Sequence, residues 1–454
     1  MWDDYFKGKK ITLMGLGLLG RGIGDARFLA RHGANLIVTD LKTKEQLASS
    51  LEELKEFSNI TYCLGEHSLE DFKDRDMIIK VAGVPLDSAF IAEAKVHNIP
   101  VEMSTSLFAR LFLEYKKSVG KENTKCLIGI TGSKGKTTTT HLIFEILTKG
   151  FPNARIRLGG NIQGVSTLAY LDDLQPDDIF VLELDSWQLQ GFGESKLSPH
   201  ISVFTNLLPD HLNYYKGSMD AYFKDKANIF CFQDEKNICF VGPTITSWAE
   251  KHTPTHTLRL KKPTTFSIEK KSRSLAGKHN DENIALAVGV AQEMGVSENI
   301  ITKTIEEFEG VPGRLQFLGE KNGVAYYNDT TATMPDAVLA AIRALGEKKN
   351  IILIMGGADK QTDATTLIQE LPKFCKALVL FKGTGTDKVR HLINDSEFES
   401  VTEVGSMTEA VTIARQNAQS GDIILLSPAF ASFGMFINEY DRGDQFNSAV
   451  KQVS

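Results

Sequence analysis

The sequence lacks the features that mark several large classes of protein. Its 454 residues carry a net charge of −6, whereas a nucleic-acid-binding protein usually has a concentrated basic surface. No apolar run in the chain approaches the roughly 20 residues that a membrane-spanning helix needs. Residues 1–5 lack the basic start and the apolar core of a signal peptide. We therefore expect a cytoplasmic protein with no nucleic-acid partner and no membrane partner.

Cysteine is also scarce, and its spacing argues against two further kinds of site. The chain has five cysteines, and no two of them have the close spacing that is typical of zinc ribbons and redox motifs. An odd, scattered set is typical of reduced, mostly buried thiols in a reducing compartment. The five are Cys63, Cys126, Cys231, Cys239 and Cys375.

The length and the strand pattern predict several α/β domains. At 454 residues the chain is too long for one compact core. Three times a short apolar strand is followed by glycine and a helical pattern, which is typical of parallel α/β sheets. We expect domains at 1–117, 118–311 and 312–454, with linkers at 116–125 and around 310–313. The predicted strands are 10–14, 34–39, 77–81, 126–130, 179–183, 201–205, 351–355, 377–381 and 422–427.

A glycine-rich segment in the second domain predicts a phosphate-binding loop. It follows an apolar strand and precedes a helical run at 141–149. Backbone N–H groups of such a loop surround phosphate oxygens, while Lys136 adds a charge and the Thr137 hydroxyl is placed to bind Mg²⁺. The first glycine of the general pattern falls on Ile130, so a plain glycine turn with a solvated lysine is the competing interpretation. The predicted loop is Gly132, Ser133, Lys134, Gly135, Lys136, Thr137 and Thr138.

A second glycine pattern lies near the start of the chain. Gly15, Gly17 and Gly20 follow a strand, and Asp40 ends the next strand about 20 residues later, as in dinucleotide-binding proteins. Taken alone, this pattern favours an NAD-dependent dehydrogenase. A nucleotide-binding sheet need not hold a redox cofactor, however, so the pattern is a weak indication.

Further motifs follow the phosphate loop along the rest of the chain. They are Gly159-Gly160-Asn161, Glu183-Leu-Asp-Ser186-Trp-Gln188-Leu, Asn206-Leu-Leu-Pro-Asp210-His211-Leu, Lys226, His279-Asn280-x-x-Asn283, Gly313-Arg314, Asn328-Asp329, Gly356-Gly357-Ala-Asp359-Lys360, Ser427-Pro428-Ala-Phe-Ala-Ser432-Phe433 and Arg442-Gly443. In this order they resemble the Mur ligases of peptidoglycan synthesis, in which the departure at Ile130 is normal. The resemblance covers the central and C-terminal domains most fully.

The resemblance implies a fold and a reaction. The fold is α/β with three domains: a Rossmann-like domain that binds a UDP-linked substrate, a central P-loop ATPase domain, and a Rossmann-like C-terminal domain that binds an amino acid. The reaction joins D-glutamate to the carboxylate of UDP-N-acetylmuramoyl-L-alanine through an acyl phosphate and releases ADP and phosphate. A monomer is expected.

The resemblance also implies roles in catalysis and ATP binding. Lys136 is expected to act on the phosphates, Thr137 and Glu183 to hold a first Mg²⁺, and His211 and a carbamylated Lys226 to hold a second metal ion. Without the resemblance, His211 fits a helix cap and Lys226 a solvated helix lysine. The remaining ATP-binding residues are expected to be Asn283 at the adenine, Arg314 at a phosphate and Asp329 at the ribose.

Substrate-binding residues are implied in the same way. For the UDP-linked substrate they are Leu18, Leu19, Asp40, Lys42, Asn161 and Ser186, and for the amino acid they are Thr333, Lys360, Ser432 and Phe433. One departure stands out, because Thr331 occupies a position where the family usually has lysine. This change weakens catalysis, transfers the role to Lys360, or indicates a different amino acid.

Three alternatives remain open from the sequence. A sister ligase or a folylpolyglutamate-synthase-like enzyme shares the central machinery. A dehydrogenase is the second alternative. The third is a catalytically silent nucleotide-binding protein, which the set of Lys136, Glu183, His211 and Lys226 argues against, because a binding module needs no second metal site.

Overall fold

The computed structural model describes residues 2–18, 20–252, 259–262, 271–346, 348–394, 398 and 400–453. The chain divides into two compact units. One comprises Met1–Phe266 with Asn283–Ile301, and the other comprises Ser267–Glu282 with Thr302–Ser454. We call them unit 1 and unit 2. Within the described residues, no helix is both long enough and apolar enough to cross a membrane.

Unit 1 opens with a five-stranded parallel sheet in the order β3-β2-β1-β4-β5. Its strands are β1 Lys10–Met14, β2 Asn35–Asp40, β3 Ile60–Leu64, β4 Met77–Lys80 and β5 Val101–Glu102, and its helices are α1 Trp2–Phe6, α2 Arg21–Arg31, α3 Ala48–Glu52, α4 Ala89–Val96 and α5 Ser104–Ser118. The central strands are buried along nearly their whole length, as parallel strands covered on both faces are. The glycine pattern lies directly after β1.

A second parallel sheet, of six strands, has the order β11-β10-β9-β6-β8-β7. Its strands are β6 Leu127–Thr131, β7 Ile156–Gly160, β8 Ile179–Glu183, β9 Ile201–Phe204, β10 Ile238–Val241 and β11 Leu260–Lys261. The helices that follow are α6 Lys136–Gly150, α7 Ser186–Glu194, α8 Met219–Ala227, α9 Ile245–His252, α10 Lys278–Glu293 and α11 Glu298–Glu307. Strand β6 pairs with both β8 and β9, so the three strands end at one edge.

Unit 2 contains a mixed six-stranded sheet in the order β12-β13-β17-β14-β15-β16. Strand β12 is antiparallel to β13, and the other pairs are parallel. The strands are β12 Gln316–Lys321, β13 Val324–Asn328, β14 Ile351–Gly356, β15 Cys375–Phe381, β16 Val401–Val404 and β17 Ile423–Leu426, and the helices are α12 Pro335–Leu345, α13 Thr365–Phe374, α14 Thr384–Asn394, α15 Met407–Gln416 and α16 Glu439–Gln452. Short 3₁₀ helices lie at Leu69–Phe72 and Leu168–Asp173 in unit 1 and at Arg273–Leu275 in unit 2. The α/β fold class is confirmed.

The start of the first predicted linker is wrong. Lys116 belongs to α5, and its side chain is buried, with Nζ donating to the Pro176 carbonyl at 2.6 Å. The apolar face of the same helix packs on the second sheet. The ring centroids of Phe108 and Phe112 lie 4.7 and 4.9 Å from the ring centroid of Phe180. A run of charged residues therefore marks the last turn of a packed helix here.

We predict that Phe180→Ala lowers the free energy of unfolding by about 3–5 kcal/mol, because the ring is fully buried and its loss leaves a cavity. Urea denaturation followed by tryptophan fluorescence measures this change. Phe232→Ala is the matched control, since that ring is exposed. Equal effects of the two substitutions would contradict the packing of α5 on β8.

Candidate functional site

The candidate site in unit 1 begins where β6, β8 and β9 end side by side. Ile130 pairs with Glu183, and Thr131 pairs with Phe204. The predicted phosphate loop leaves β6 at this edge and leads directly into α6. Gly132 has φ of +142°, and a Cβ there would lie 1.9 Å from the Thr205 hydroxyl oxygen. Only glycine fits this close approach.

Asn206 organises the loop, and the sequence analysis missed its role. Its backbone carbonyl accepts from Ser133 N at 2.9 Å, and its Oδ1 accepts from Lys134 N at 3.0 Å. These two loop N–H groups are therefore engaged within the protein. The N–H groups of the first turn of α6, which includes Thr137 and Thr138, lack intrahelical partners, as at every helix N-terminus. That turn is the part of the predicted loop best suited to an anion.

Two other members of the predicted loop bind within the protein or face solvent. The Ser133 hydroxyl donates to the Leu208 carbonyl at 2.9 Å. The Lys134 side chain is exposed, and its Nζ lies 3.7 Å from Asp210 Oδ2. The loop therefore offers Lys136 as its inward-facing cation.

Two lysines converge on one carbonyl of the loop. The Nζ atoms of Lys136 and Lys226 donate to the Gly132 carbonyl at 3.0 and 2.9 Å. Lys226 is almost completely buried, although it lies on a helix with an exposed face. Burial lowers the pKa of Lys226 well below its usual value, and the charge of Lys136 lowers it further. Lys226 therefore loses its proton more readily than an ordinary lysine.

Glu183 ends β8 and carries a buried carboxylate. The side chain is buried, and Oε1 accepts from Asn161 Nδ2 at 3.4 Å. Oε2 has no hydrogen-bond partner among the described residues. A buried carboxylate oxygen costs free energy unless it is paired. A divalent cation fits this atom.

The metal-binding side chains around Glu183 are few. Among the described residues, no group of three or more His, Cys, Asp or Glu side chains is placed to hold a metal ion. An ion at Glu183 would therefore complete its coordination with the Thr137 hydroxyl, water or phosphate oxygens, which are ligands that Mg²⁺ readily accepts.

His211 has a left-handed backbone conformation, with φ of +52°. Its ring centroid is 4.7 Å from that of Trp187, and its Nε2 is 3.9 Å from Asp210 Oδ1. Burial lowers the pKa of His211, as do Lys136 and Lys226, and these effects outweigh Asp210. The neutral imidazole that metals require is thus favoured.

Two further predicted residues of unit 1 lie close to this edge. Ser186 is buried at the start of α7, which Asp185 caps by accepting from Gln188 N at 2.7 Å. Asn283 of α10 is buried against the loop, because a Cβ on Gly135 would lie only 2.2 Å from Asn283 Oδ1. The structure therefore places Asn283 beside the phosphate loop.

The first sheet changes the interpretation of Asp40. Its carboxylate accepts from Leu16 N, Gly17 N and Lys42 N at 2.9, 3.0 and 2.9 Å. Burial raises the pKa of this carboxyl, but the three hydrogen bonds outweigh burial and lower it. Asp40 thus shapes the glycine turn through these three hydrogen bonds, and its contact with the UDP-linked substrate stays a prediction. The predicted residue Leu18 is half exposed on this turn, and Leu19 lies outside the described residues.

Unit 2 carries the other predicted ATP-binding residues. Asp329 follows β13 and is buried, with Oδ1 accepting from Leu315 N at 3.0 Å and Oδ2 accepting from the Ser427 hydroxyl at 2.8 Å. Burial raises the pKa of Asp329 to about 7. Arg314 directly precedes Leu315, so both predicted residues lie at the same end of the third sheet.

The predicted amino-acid-binding residues of unit 2 form a partly connected group. Lys360 Nζ donates to the Thr333 hydroxyl at 2.8 Å, and burial lowers the pKa of Lys360. Ser432 is buried, whereas Phe433 is 66% exposed. Thr331, which stands in place of the family lysine, donates its hydroxyl proton to the Gly313 carbonyl at 2.9 Å.

Arg442 supports this group, although the sequence analysis gave it no role beyond the resemblance. It is fully buried and donates to the hydroxyl and carbonyl oxygens of Thr330 at 3.1 and 2.9 Å and to the Phe430 carbonyl at 3.3 Å. Burial lowers its pKa to about 10. The sequence feature that could have indicated this role is the Arg442-Gly443 pair in α16.

A glycine loop between β6 and α6, with two converging lysines and the buried carboxylate of Glu183 at the same strand edge, is the arrangement of a P-loop nucleotide-binding protein. Family models give the more specific class. The Mur ligase middle domain matches residues 130–274, the glutamate ligase domain of Mur ligases matches residues 313–430, and the MurD-like N-terminal domain of Mur ligases matches residues 9–102.

Curated relatives match the chain over nearly its whole length. A UDP-N-acetylmuramoylalanine–D-glutamate ligase of Roseiflexus sp. (strain RS-1) is 35% identical, covering 98% of this chain and 99% of that protein. Ligases of the same name from Borreliella afzelii and Clostridioides difficile are 33% and 32% identical and cover 99% and 98% of this chain and 99% of each relative. The chain belongs to the Mur ligase family.

Solved structures of the family share the fold. UDP-N-acetylmuramate-alanine ligase MurC from Thermotoga maritima superposes with a TM-score of 0.58 at 19% identity, covering 98% of this chain and 99% of that one. MurF ligase from Thermotoga maritima, solved in complex with ADP, gives 0.54 at 17% identity, with coverage of 92% and 95%. The three-domain α/β architecture of Mur ligases is therefore the fold of this chain.

The elevated pKa of Asp329 predicts a pH-dependent stability. The folded state keeps this proton up to about pH 7, whereas an ordinary aspartate releases it near 3.8. The stability that the protonated group contributes is therefore present below about pH 4 and is lost as the pH rises through about 7. We expect the urea midpoint of the wild type to fall over this range relative to that of Asp329→Asn. Asp336→Asn, at an exposed position of α12, is the control, and a constant difference between the wild type and Asp329→Asn would refute the prediction.

Proposed function

We propose that this chain is an ATP-dependent ligase that adds D-glutamate to UDP-N-acetylmuramoyl-L-alanine in peptidoglycan precursor synthesis. The observation that carries the proposal is the end-to-end similarity to relatives that bear this name, which covers nearly all of both chains. The phosphate loop with its lysines and Glu183 supports the chemistry. We also propose that the enzyme acts as a cytoplasmic monomer.

The proposed first step transfers the γ-phosphoryl group of ATP to the substrate carboxylate. Two anions must approach each other, so fixed positive groups have to offset their repulsion. Lys136 and the N-terminal turn of α6, with Thr137 and Thr138, hold the phosphates. The amine of the amino acid then attacks the acyl carbon, and phosphate leaves as the tetrahedral intermediate collapses.

We assign two magnesium sites to the residues around the loop. Thr137 and Glu183 would hold one ion, and the unpartnered Glu183 Oε2 supports this assignment. His211 and a modified Lys226 would hold the other. When bound, the metal ions would neutralise phosphate charge.

The depressed pKa of Lys226 supports its carbamylation. A neutral amine attacks CO₂, the new N–C bond forms as a C=O π bond opens, and one proton is released, which leaves an anionic carbamate. The carbamate removes the repulsion between the two ammonium groups that share the Gly132 carbonyl. It also supplies the oxygen ligands that lysine lacks.

The remaining predicted residues complete the proposal. Asn283, Arg314 and Asp329 would contact ATP. To bind a ribose hydroxyl, Asp329 would have to give up its hydrogen bond to Leu315 N or to the Ser427 hydroxyl. The UDP-linked substrate would contact Leu18, Leu19, Asp40, Lys42, Asn161 and Ser186, and Asp40 also holds the glycine turn.

The acceptor amino acid would lie at Lys360, Thr333, Ser432 and Phe433. Lys360 is the cation already bonded to Thr333, so we assign it the glutamate side-chain carboxylate. Thr331 favours the second candidate, a Mur-type or folylpolyglutamate-synthase-like ligase with another acceptor, since threonine brings no charge to that position.

An assay with a panel of amino acids tests the proposal. The protein is incubated with ATP, Mg²⁺ and UDP-N-acetylmuramoyl-L-alanine, and phosphate release is measured with D- and L-amino acids in turn. We expect release to depend strictly on D-glutamate. A preference for any other acceptor would overturn the specificity, and release without any acceptor would argue against a ligase.

Lys136→Ala should abolish phosphate release, because the loop loses its inward-facing cation. The thermal midpoint is measured alongside, to establish that the variant folds. Lys149→Ala, in the last turn of the same helix, is the control and should retain activity. Substantial turnover by Lys136→Ala would disprove the assigned role.

Carbamylation can be detected by ¹³C NMR of protein equilibrated with ¹³C-bicarbonate. We expect a carbamate resonance in the wild type that is lost in Lys226→Arg, because guanidinium stays protonated and does not react with CO₂. Lys224→Arg, two residues earlier on the same helix and at an exposed position, is the control. A resonance that persists in Lys226→Arg would place the carbamate elsewhere.

A further inference from the structure

A hydrogen-bonded series links the first sheet of unit 1 to Glu183. Arg21 is the first residue of α2, directly after Gly20 of the glycine turn. Its Nη1 donates to Asn161 Oδ1 at 2.8 Å, and Asn161 Nδ2 donates to Glu183 Oε1 at 3.4 Å. Asn161 directly follows β7, and its backbone N–H donates to the Glu183 carbonyl at 2.7 Å. Arg21 therefore reaches the Glu183 carboxylate through one amide group.

Arg21 determines which way the Asn161 amide faces. A guanidinium group only donates hydrogen bonds, so the amide must present its oxygen to Arg21. Its NH₂ group then faces Glu183, where a carboxylate can accept. The opposite orientation would place two donors against each other and an amide oxygen against a carboxylate. With the amide fixed, Oε1 of Glu183 is held and Oε2 stays available.

Close packing holds Arg21 in this position. A Cβ on Gly20 would lie 3.2 Å from Gly164 Cα, and one on Gly24 would lie 2.5 Å from Ser166 Cβ. The Ser166 hydroxyl donates to the buried Asp25 at 2.6 Å. The first two turns of α2 are thus packed against the segment 161–166, and the Arg21 side chain needs little further ordering to bind Asn161.

We propose that Arg21 is a positioning residue, which orients Glu183 for a divalent cation by fixing the Asn161 amide. This inference rests on the proposed function only in assigning Glu183 to a metal ion; it holds for any acceptor amino acid. Residues that orient a metal ligand typically affect metal affinity or activity by about 10- to 100-fold when they are removed.

The test measures binding of ADP by calorimetry, with Mg²⁺ and with EDTA. We expect Arg21→Met to weaken Mg²⁺-dependent ADP binding about 10-fold and to leave binding in EDTA unchanged. Arg21→Lys should recover most of the loss, because an ammonium group is also a pure donor. Arg31→Met is the matched control, since Arg31 lies on the same helix and its Nη1 bonds to Asp172 Oδ2 at 2.9 Å, away from Asn161.

A double-mutant cycle separates positioning from a merely structural effect. If Arg21 acts through Asn161, Arg21→Met should add nothing in an Asn161→Ala background. Additive effects, an equal loss in EDTA, or unchanged Mg²⁺-dependent binding in Arg21→Met would each overturn the inference and leave the proposed function intact. Wild-type protein that bound ADP without any dependence on Mg²⁺ would overturn both.

Discussion

The pairing of β6 with β8 on one side and β9 on the other is the constraint on which the candidate site depends. Parallel strands end at the same edge of a sheet, so this order brings the phosphate loop, Glu183 and the Asn206 segment together from distant parts of the chain. The close approach then leaves room only for hydrogen at Gly132, and also at Gly160, where a Cβ would lie 2.1 Å from the Glu183 carbonyl oxygen. The glycines are consequences of the strand order.

Electrostatics at that edge is unbalanced without a ligand. Two ammonium groups, those of Lys136 and Lys226, share one backbone carbonyl, while a buried carboxylate oxygen of Glu183 has no partner among the described residues. Each group costs free energy on its own in a partly dry environment. Anionic phosphates beside the lysines and a cation beside Glu183 would offset both costs. The charges at this edge therefore suit the binding of polyphosphate, in keeping with the family of the chain.

Much of the sheet framework could be predicted, because buried parallel strands appear as short apolar runs. Strands 10–14 and 179–183 have the predicted bounds, and the other predicted strands shift by only one or two residues at one or both ends. The strands that were missed include β3, in which only one of five residues is buried, and β5 and β11, with two residues each. The start of the first linker was predicted wrongly at Lys116. Its charge indicated a linker, whereas its buried ammonium group donates to the Pro176 carbonyl.

The sequence by itself determined where the phosphate loop lies and to which family the chain belongs, because both depend on residues that are close together or in a fixed order. Only the tertiary structure decided what each polar group binds. Asp40 accepts hydrogen bonds from its own glycine turn, and Asn206 accepts from two N–H groups of the phosphate loop. Arg21 donates to Asn161, which lies 140 positions away in the chain. Strand order and packing determine these hydrogen-bond partners, so a local pattern of residue types does not predict them.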